Sequence, residues 1–469
     1  MQNILKEMNY TTSKKPNLNI FHILNMNFGF LGLQFSFALQ QTNMSPIYRY
    51  LGADENNAIL WLAGPITGLL IQPIIGVWSD NTWSKNFGRR KPFFLVGAII
   101  ASIALFLMPQ SSALWMAVSL LWILDAANNI TMEPYRAFVA DKLPQEQHSL
   151  GFVTQSFFTG LGSTLANFTP AILITLGVVG INDVAKNGIP ITVFWAFFIG
   201  AGVTIASILY SMFTTKEIPP NKEELAELKA KKSGKSGIQL FIEEISTAFK
   251  EMPTVMKQLI PVKFFTWFAM FCYWQSITDG LALSLFATKD VQSEMYKQAG
   301  VLTGQVNGTY NIICFLSAFL LVPLAKKLGA SVTHFISLTL AGLAIFFMNT
   351  YSLNTILFSI PNIFGEGSIA VSQVYLISFG LGIGWASMLS MPYSLLSAAI
   401  PANRIGVYMG IFNMFIVIPM LIQTLTMDYV MEHFLGNNKI LELKLAGIFL
   451  IIGGICTLFI KSRKTTQIG

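Results

Sequence analysis

An all-α membrane protein, with twelve transmembrane helices in two six-helix halves, is the fold class this sequence predicts. Three observations lead there. Hydrophobic residues make up 53% of the 469 and charged residues only 11%, whereas soluble domains run nearer a quarter charged; the mean hydropathy is +0.57. The apolar residues gather into runs long enough to cross a bilayer, for which a helix needs about 20 residues. A polar connector then separates the sixth run from the seventh and splits the chain evenly.

The first 19 residues are polar, with Lys6, Lys14 and Lys15. No small-residue cleavage site follows a short apolar core, so the first span is expected to act as an uncleaved anchor. Spans are expected at 20–46, 57–79, 92–110, 113–136, 149–178 and 190–213, forming an N-terminal half over 1–213. The connector over 214–257 contains "NKEELAELKAKK", with Glu preceding Lys at helical spacing, and the flexible break "KSGKSG". Its segment "IQLFIEEISTAFKEM" is amphipathic and suits the inner membrane surface. A tether between halves is the simplest reading, against a regulatory domain. The C-terminal half, 258–469, is expected to hold spans at 258–287, 300–325, 331–350, 370–399, 404–430 and 443–461. The Pro- and Gly-containing stretch 351–370, "YSLNTILFSIPNIFGEGSIA", is expected as an outer loop.

An even number of spans puts both termini on one side. With that side taken as inside, inner segments hold 24 Lys and Arg, and outer ones hold six: Arg49, Lys186, Lys289, Lys297, Lys439 and Lys444. Removing the long 214–263 stretch with its nine lysines still leaves fifteen against six. That asymmetry predicts cytoplasmic termini, and the net charge of +7 is a topology signal rather than a nucleic-acid footprint. The partner implied is a lipid bilayer, with a bacterial inner membrane and a monomer as the expectations.

Cys272, Cys314 and Cys456 lie far apart in apolar segments, without metal-ligand spacing, and read as small buried hydrophobes. His22, His148, His334 and His433 are expected near span ends or loops. No nucleophile motif or phosphate-cradling loop is present, so no enzyme activity, cofactor or metal is expected.

The stretch 124–141, "LDAANNITMEPYRAFVAD", concentrates polar groups where hydrocarbon should be. From Asp125, Asn128, Asn129, Met132 and Arg136 follow on one helical stripe. Asp125 falls near the bilayer centre, with Arg136 about 16 Å further toward the inner side. Such a stripe must face protein or a water-filled cavity. Glu133 is within local reach of Arg136, which leaves Asp125 with no cation in sequence reach. A carboxylate so placed tends to take up a proton. The bland alternative for Asp125 is a helix-locking ion pair with a distant partner. For Arg136 it is simple positive charge at an inner helix end.

Asp125, Asn128, Asn129, Pro134, Arg136, Ala137, Ala140 and Asp141 match in order the fourth helix of the plant sucrose–proton symporters, which this stretch resembles. The segment "WLAGPITGLLIQPIIGVWSDNTWSKNFGRRKPF" at 61–93 is similar to that family's second helix and following loop. The tenth and eleventh helices, "LGIGWASMLSMPYSLLSAAIP" and "GIFNMFIVIPMLIQ", are similar again. The loop motif is generic to the major facilitator superfamily, while the fourth-helix pattern is more specific. The resemblance covers most of the chain. It implies a major facilitator fold and proton-coupled disaccharide uptake, with Asp125 as proton acceptor and Arg136 as its essential partner. Two departures stand out. Glu133 occupies a position where plant members carry a small residue. In the seventh helix, "FFTWFAMFCYWQSITDG", Cys272 and Tyr273 precede Trp274 where plant members have aspartates, a version closer to bacterial relatives of the glycoside–pentoside–hexuronide type.

The same resemblance implies a gate latch around Asp80, Arg89 and Arg90, with Asp141 joining it; for Lys85 and Lys91 topology charge is an equal reading. Sugar recognition needs hydrogen-bonding side chains and flat apolar faces. Gln34, Gln40 and Asn43 in the first span, Asn128 and Asn129 in the fourth, and Gln155, Trp274 and Asn307 elsewhere are the candidates. For any one of them, an interhelical hydrogen bond or core packing competes with ligand binding.

The function expected is therefore proton-coupled symport of a disaccharide or small glucoside, of maltose or sucrose type, by alternating access. A sodium-coupled melibiose-like symporter is the first alternative, but it would group carboxylates in the second helix, and 57–79 contains none. A multidrug effluxer of the same fold is the second, disfavoured by spans rich in Gln and Asn.

Overall fold

A computed structural model describes residues 17–54, 58–80, 82–84, 87–144, 147–217, 246, 249–361, 368–397 and 405–460. Among them twelve helical spans appear. The first, α1, consists of Ile20–Asn27 and Gly29–Tyr50 joined at Phe28, whose φ of −57° and ψ of −33° keep the chain helical. The others are α2 (Ala63–Asp80), α3 (Lys91–Leu107), α4 (Leu114–Lys142), α5 (His148–Thr175), α6 (Ile191–Thr214), α7 (Thr254–Phe286), α8 (Glu294–Leu328), α9 (Ala330–Phe346), α10 (Leu376–Ser397), α11 (Ile405–His433) and α12 (Lys439–Thr457). Their alternation creates two faces. The terminal face carries the start of α1 and the end of α12, and the distal face carries the turn between α1 and α2.

Packing repeats with a period of six helices. In the first half α1 packs on α5 and α6, α3 on α4 and α6, and α2 on α4. Each pair recurs six positions later: α7 on α11 and α12, α9 on α10 and α12, and α8 on α10. The halves meet along α2–α11, α5–α8 and α1–α7, the first two being exchanged by the same shift of six. Two copies of one six-helix unit thus face each other across a seam, the usual construction of transporters built from internal repeats.

Small residues let helices approach within each half, as in membrane bundles generally. At Gly162 of α5 a Cβ would lie 2.2 Å from the Leu31 carbonyl oxygen of α1. At Gly97 of α3 it would lie 2.7 Å from the Ala127 carbonyl oxygen of α4. The interruption of α1 also has a local cause. The Gly29 amide donates to the Tyr135 hydroxyl and the Ser211 Oγ, both at 2.9 Å, rather than staying in the helical ladder.

Eight of the twelve spans, among the described residues, are long and apolar enough by composition to cross a membrane. Of the remainder α9 is short, whereas α1, α7 and α8 are long but more polar. These three line the seam, and α7 is buried almost continuously from Thr266 to Ala282. Their seam-facing sides are covered by protein, so their sequences need not be uniformly apolar.

One expectation is corrected here. The stretch 351–370 is more than a loop: Ile356–Pro361 (β1) and Ser368–Ser372 (β2) pair antiparallel between α9 and α10. Lys263, inside the span expected at 258–287, lies in α7 and is 1% exposed. His334, expected near a span end, is the fifth residue of α9 and is buried, its Nδ1 2.7 Å from the Ser387 Oγ. The three cysteines are free; Cys272 is buried, while Cys314 and Cys456 are half-buried. Helix α6 ends at Thr214 and α7 begins at Thr254, and most of the amphipathic stretch over 238–252 lies outside the described residues.

Candidate functional site

A polar cluster occupies the middle of α1, α2 and α4. Asp125 is 2% exposed. Its Oδ1 accepts from the Gln40 Nε2 at 2.6 Å, while its Oδ2 has no hydrogen-bond partner. Among the described residues no cation pairs with it. Across from it on α2, Gly64 presents only a hydrogen; a Cβ there would sit 3.7 Å from Oδ2.

The two asparagines that follow are used differently. The Asn129 side chain donates to the Thr67 Oγ1 at 3.1 Å and to the Asp125 carbonyl at 2.8 Å, and it accepts from the Gln72 Nε2 at 2.6 Å. Gln72 in turn accepts from the Asn413 Nδ2 of α11 at 3.1 Å. A single chain of amides therefore runs from the aspartate's helix to the opposite half. Asn128 accepts from the Ser36 Oγ at 3.1 Å, but its Nδ2 is buried without a partner, as is the Gln40 Oε1. An orphaned carboxylate oxygen, amide oxygen and amide nitrogen in one cluster offer both acceptors and a donor, the combination that hydroxyl groups can satisfy. Each would be costly to leave unmade indefinitely.

Across the seam, α7 and α8 contribute aromatic surface. Trp274 is buried, with its Nε1 donating to the Tyr310 hydroxyl at 3.4 Å. Its ring centroid lies 5.6 Å from that of Trp385 and 6.3 Å from that of Trp267, all edge-on. The Tyr273 hydroxyl donates to the Asn307 Oδ1 at 2.9 Å. Asn307 donates to the Thr42 Oγ1 at 3.1 Å, and Thr42 donates to the Asn167 Oδ1, joining α8 to α1 and α5. Gln275 and Gln423 exchange hydrogen bonds at 3.2 Å between α7 and α11. Trp61 connects the clusters by meeting Phe271 edge-on at 5.9 Å.

The expected sugar-contacting residues are thus divided. Gln40, Asn128 and Asn129 join Asp125, while Trp274 and Asn307 form the facing group. Asn43 bonds its own helix at the Leu39 carbonyl, 3.0 Å away, and lines a cleft on the distal side with Pro46 and Pro170. Gln34 is half-buried and makes no hydrogen bond among the described residues. Gln155 is buried with an unpartnered Nε2 on α5. Sequence reading missed Gln72, Asn413, Gln423, Trp267 and Trp385. A signal existed for Gln72 and Asn413, each a lone amide in an apolar run, but nothing in one dimension says that the two touch.

The terminal face carries the charged groups. Arg90 is 4% exposed; its Nε donates to the Asp141 Oδ2 at 2.8 Å and a terminal nitrogen donates to the Ser79 Oγ at 2.6 Å. Glu217, which sequence reading missed, accepts from the backbone amides of Arg89, Arg90 and Lys91 at 2.7, 2.9 and 2.9 Å. A carboxylate at the start of α3 satisfies amides that the helix leaves unpaired and suits its dipole. These contacts tie α2, α3, α4 and α6 together inside one half. The Asp80 side chain lies outside the described residues.

The local Glu133–Arg136 pair expected from sequence does not form among the described residues. Glu133 turns toward α2, its Cγ 3.7 Å from where a Cβ on Gly76 would be. Arg136 is exposed, near enough to Tyr393 of α10 for its charge to act there. Pairing at three residues' spacing requires both side chains to lean the same way, and α2 takes Glu133 instead.

The halves close against each other at the distal face. The Ala58 amide donates to the Asp428 Oδ1 at 3.1 Å, and the Ser45 Oγ to the Gln275 carbonyl at 2.7 Å. Arg49 and Asp279 approach to 3.9 Å, and Tyr50 meets Tyr296 edge-on at 6.0 Å.

Comparison with known proteins agrees with this architecture. The chain is 28% identical to the sucrose transport protein SUC4 of Arabidopsis thaliana, the match covering 93% of this chain and 89% of that protein. It is 26% identical to the sucrose transport protein SUT5 of Oryza sativa subsp. indica, over 91% and 85%. Among solved structures, a POT family transporter in complex with 5-aminolevulinic acid superposes with a TM-score of 0.64 at 15% identity, covering 97% of this chain and all of that one. A bacterial homologue of the human lysosomal transporter Spinster, in an inward-facing and occupied conformation, gives 0.63 at 12% identity, covering 95% and 98%. At such identities these structures speak for the fold alone. Residues 26–424 match the Major Facilitator Superfamily; with its twelve helices in two repeated halves, the chain is a multi-pass integral membrane protein that belongs to that superfamily.

Proposed function

We propose that the protein is a proton-coupled symporter that imports a disaccharide or small glucoside of sucrose or maltose type by alternating access. The observation that carries this reading is Asp125, buried near mid-span with one oxygen on Gln40 and the other unpartnered. A carboxylate with no counter-ion in a low-dielectric setting is suited to carry a proton. Asn128, Gln40 and the facing tryptophans would bind sugar hydroxyls and C–H faces. The similarity to plant sucrose transport proteins over most of both chains supports the substrate class. Arg136 would serve in resetting the empty carrier, and the Arg90–Asp141 contact would steady the N-terminal half as it rocks.

The terminal face is assigned to the cytoplasm from its excess of Lys and Arg, and the membrane to the bacterial inner membrane. The monomer is taken as the working unit, because the pathway runs between its own halves. With the distal face closed, the conformation seen is then one that opens, when it opens, toward the cytoplasm.

The test is uptake of labelled disaccharides into proteoliposomes under imposed proton or sodium gradients. Accumulation should follow the proton gradient, collapse with a protonophore and ignore sodium. Asp125→Asn should insert normally and still exchange sugar, yet fail to concentrate it. Sodium-driven accumulation, or full proton-driven accumulation by the variant, would refute the assignment.

A further inference from the structure

Lys263 has no role in the reading above, and its surroundings are unusual. It lies nine residues into α7, about 14 Å along the axis from the helix start, where neighbouring helices bury it to 1% exposure. Its ammonium nitrogen is buried without any hydrogen-bond partner. Three rings surround it instead: Phe412 with its centroid at 4.8 Å, Tyr393 at 5.0 Å and Trp267 at 5.7 Å.

On α9, His334 is buried with its Nδ1 engaged by the Ser387 Oγ of α10. From α10 comes the Tyr393 phenol, from α11 Tyr408 and Phe412, and from α12 Cys456, the last two helices contributing to the same apolar cluster. Among the described residues no carboxylate lies within ion-pair distance of Lys263. The amine therefore sits among aromatic rings with no acid to balance it.

We propose that Lys263 is a second proton-carrying site, housed in the C-terminal half and separate from Asp125. The rings stabilise the ammonium by cation–π attraction, but they supply no hydrogen bonds, so the pocket holds a proton only marginally. Opening the terminal face would hydrate this end of α7 and favour the charged amine; sealing it favours release. Lys263 is then the group through which the second half of the carrier senses proton availability. Its role in transport rests on the proton-symport reading, whereas the titration itself does not.

The experiment uses the full-length protein in detergent and in proteoliposomes. Trp267 lies beside the amine, so intrinsic tryptophan emission should show a pH-dependent step that Lys263→Met abolishes and Asp125→Asn leaves in place. Phe412→Leu removes the ring nearest the ammonium while keeping an apolar side chain. It should move that step to lower pH, by on the order of one unit, because the charged form loses a stabilising contact. In proteoliposomes Lys263→Met should alter the pH profile of sugar exchange at unchanged insertion. A wild-type emission curve without such a step, or a step that survives Lys263→Met, overturns the proposal. So does a step unmoved by Phe412→Leu, a readout available even if the lysine variant fails to fold. If the lysine-dependent step is present but accumulation follows sodium, the symport reading fails and the titrating site stands.

Discussion

Arg136 is the residue at which charge count and geometry part. Were it only a positive charge at the terminal end of α4, lysine would replace it without loss, since both count equally for orientation. If it engages a carboxylate during the transport cycle, its planar, multi-donor head is what matters, and lysine is a poor substitute. Arg136→Lys should insert normally and bind sugar, while net uptake falls on the order of tenfold, equivalent to about 1.4 kcal/mol of barrier. Uptake at the parental rate would reduce Arg136 to a topology signal. Glu217 makes a contrasting case, because its three backbone contacts hold the start of α3 rather than a substrate. Glu217→Ala should cost about 1 kcal/mol of stability, as lost caps typically do, read as a lower melting temperature in detergent with sugar affinity unchanged. Gly88, with φ of +81° and the Glu217 carboxyl carbon 2.4 Å from the Cβ site, should be equally intolerant of alanine. The aspartate and arginine were both legible from sequence because charge in an apolar run is conspicuous. Glu217 was not, since a glutamate beside a lysine-rich connector looks like any solvated residue until the fold brings it onto α3.

At the scale of the element, the close approach of α1 to α5 is decided by Gly162. A β-branched side chain there would press into the Leu31 carbonyl and push α1 away, carrying Gln40 off Asp125. Gly162→Val should therefore lower both thermal stability and transport. Gly300→Ala, on a helix position with open space around it, should change neither. Thermal unfolding and exchange measured on the same two preparations check this pair, and equal behaviour would remove Gly162 from its assigned role. The helices themselves were largely legible: an apolar run of sufficient length has few alternatives in a bilayer. The β1–β2 pair was not, because "ILFSIP" and "SIAVS" are short apolar runs and neither one dictates its partner. Helix ends also shifted, with α10 beginning at Leu376 after that pair of strands.

For the whole molecule, the distal contacts between halves hold one of at least two arrangements that a rocking carrier must visit. Several of them are single polar contacts, which suits an interface that breaks every cycle. Replacing Asp428 by Ala removes the acceptor of the Ala58 amide, and Ser45→Val removes a second contact. The double variant should shift the population toward a distal-open state. A cysteine introduced at Asn43, in the distal cleft, should then react severalfold faster with a membrane-impermeant maleimide than in the parent background. An unchanged rate would mean that these contacts do not hold the closed state.

The sequence by itself determined the number of spans, the division into halves and the presence of an acid with no cation near it on its helix. Those properties follow from local composition: hydrocarbon admits helices of a certain length, and a buried carboxylate stands out against it. Tertiary structure alone decided which polar groups meet. Gln72 and Asn413 are 341 residues apart yet hydrogen-bonded, and Trp385 reaches Trp267 and Trp274, seven residues apart on α7, only because α10 packs against that helix. It also decided that Glu133 turns to α2 instead of Arg136, and that the Lys263 ammonium lies among three aromatic rings. A side chain's partner depends on which helices pack against its face, and neither periodicity nor charge spacing carries that information.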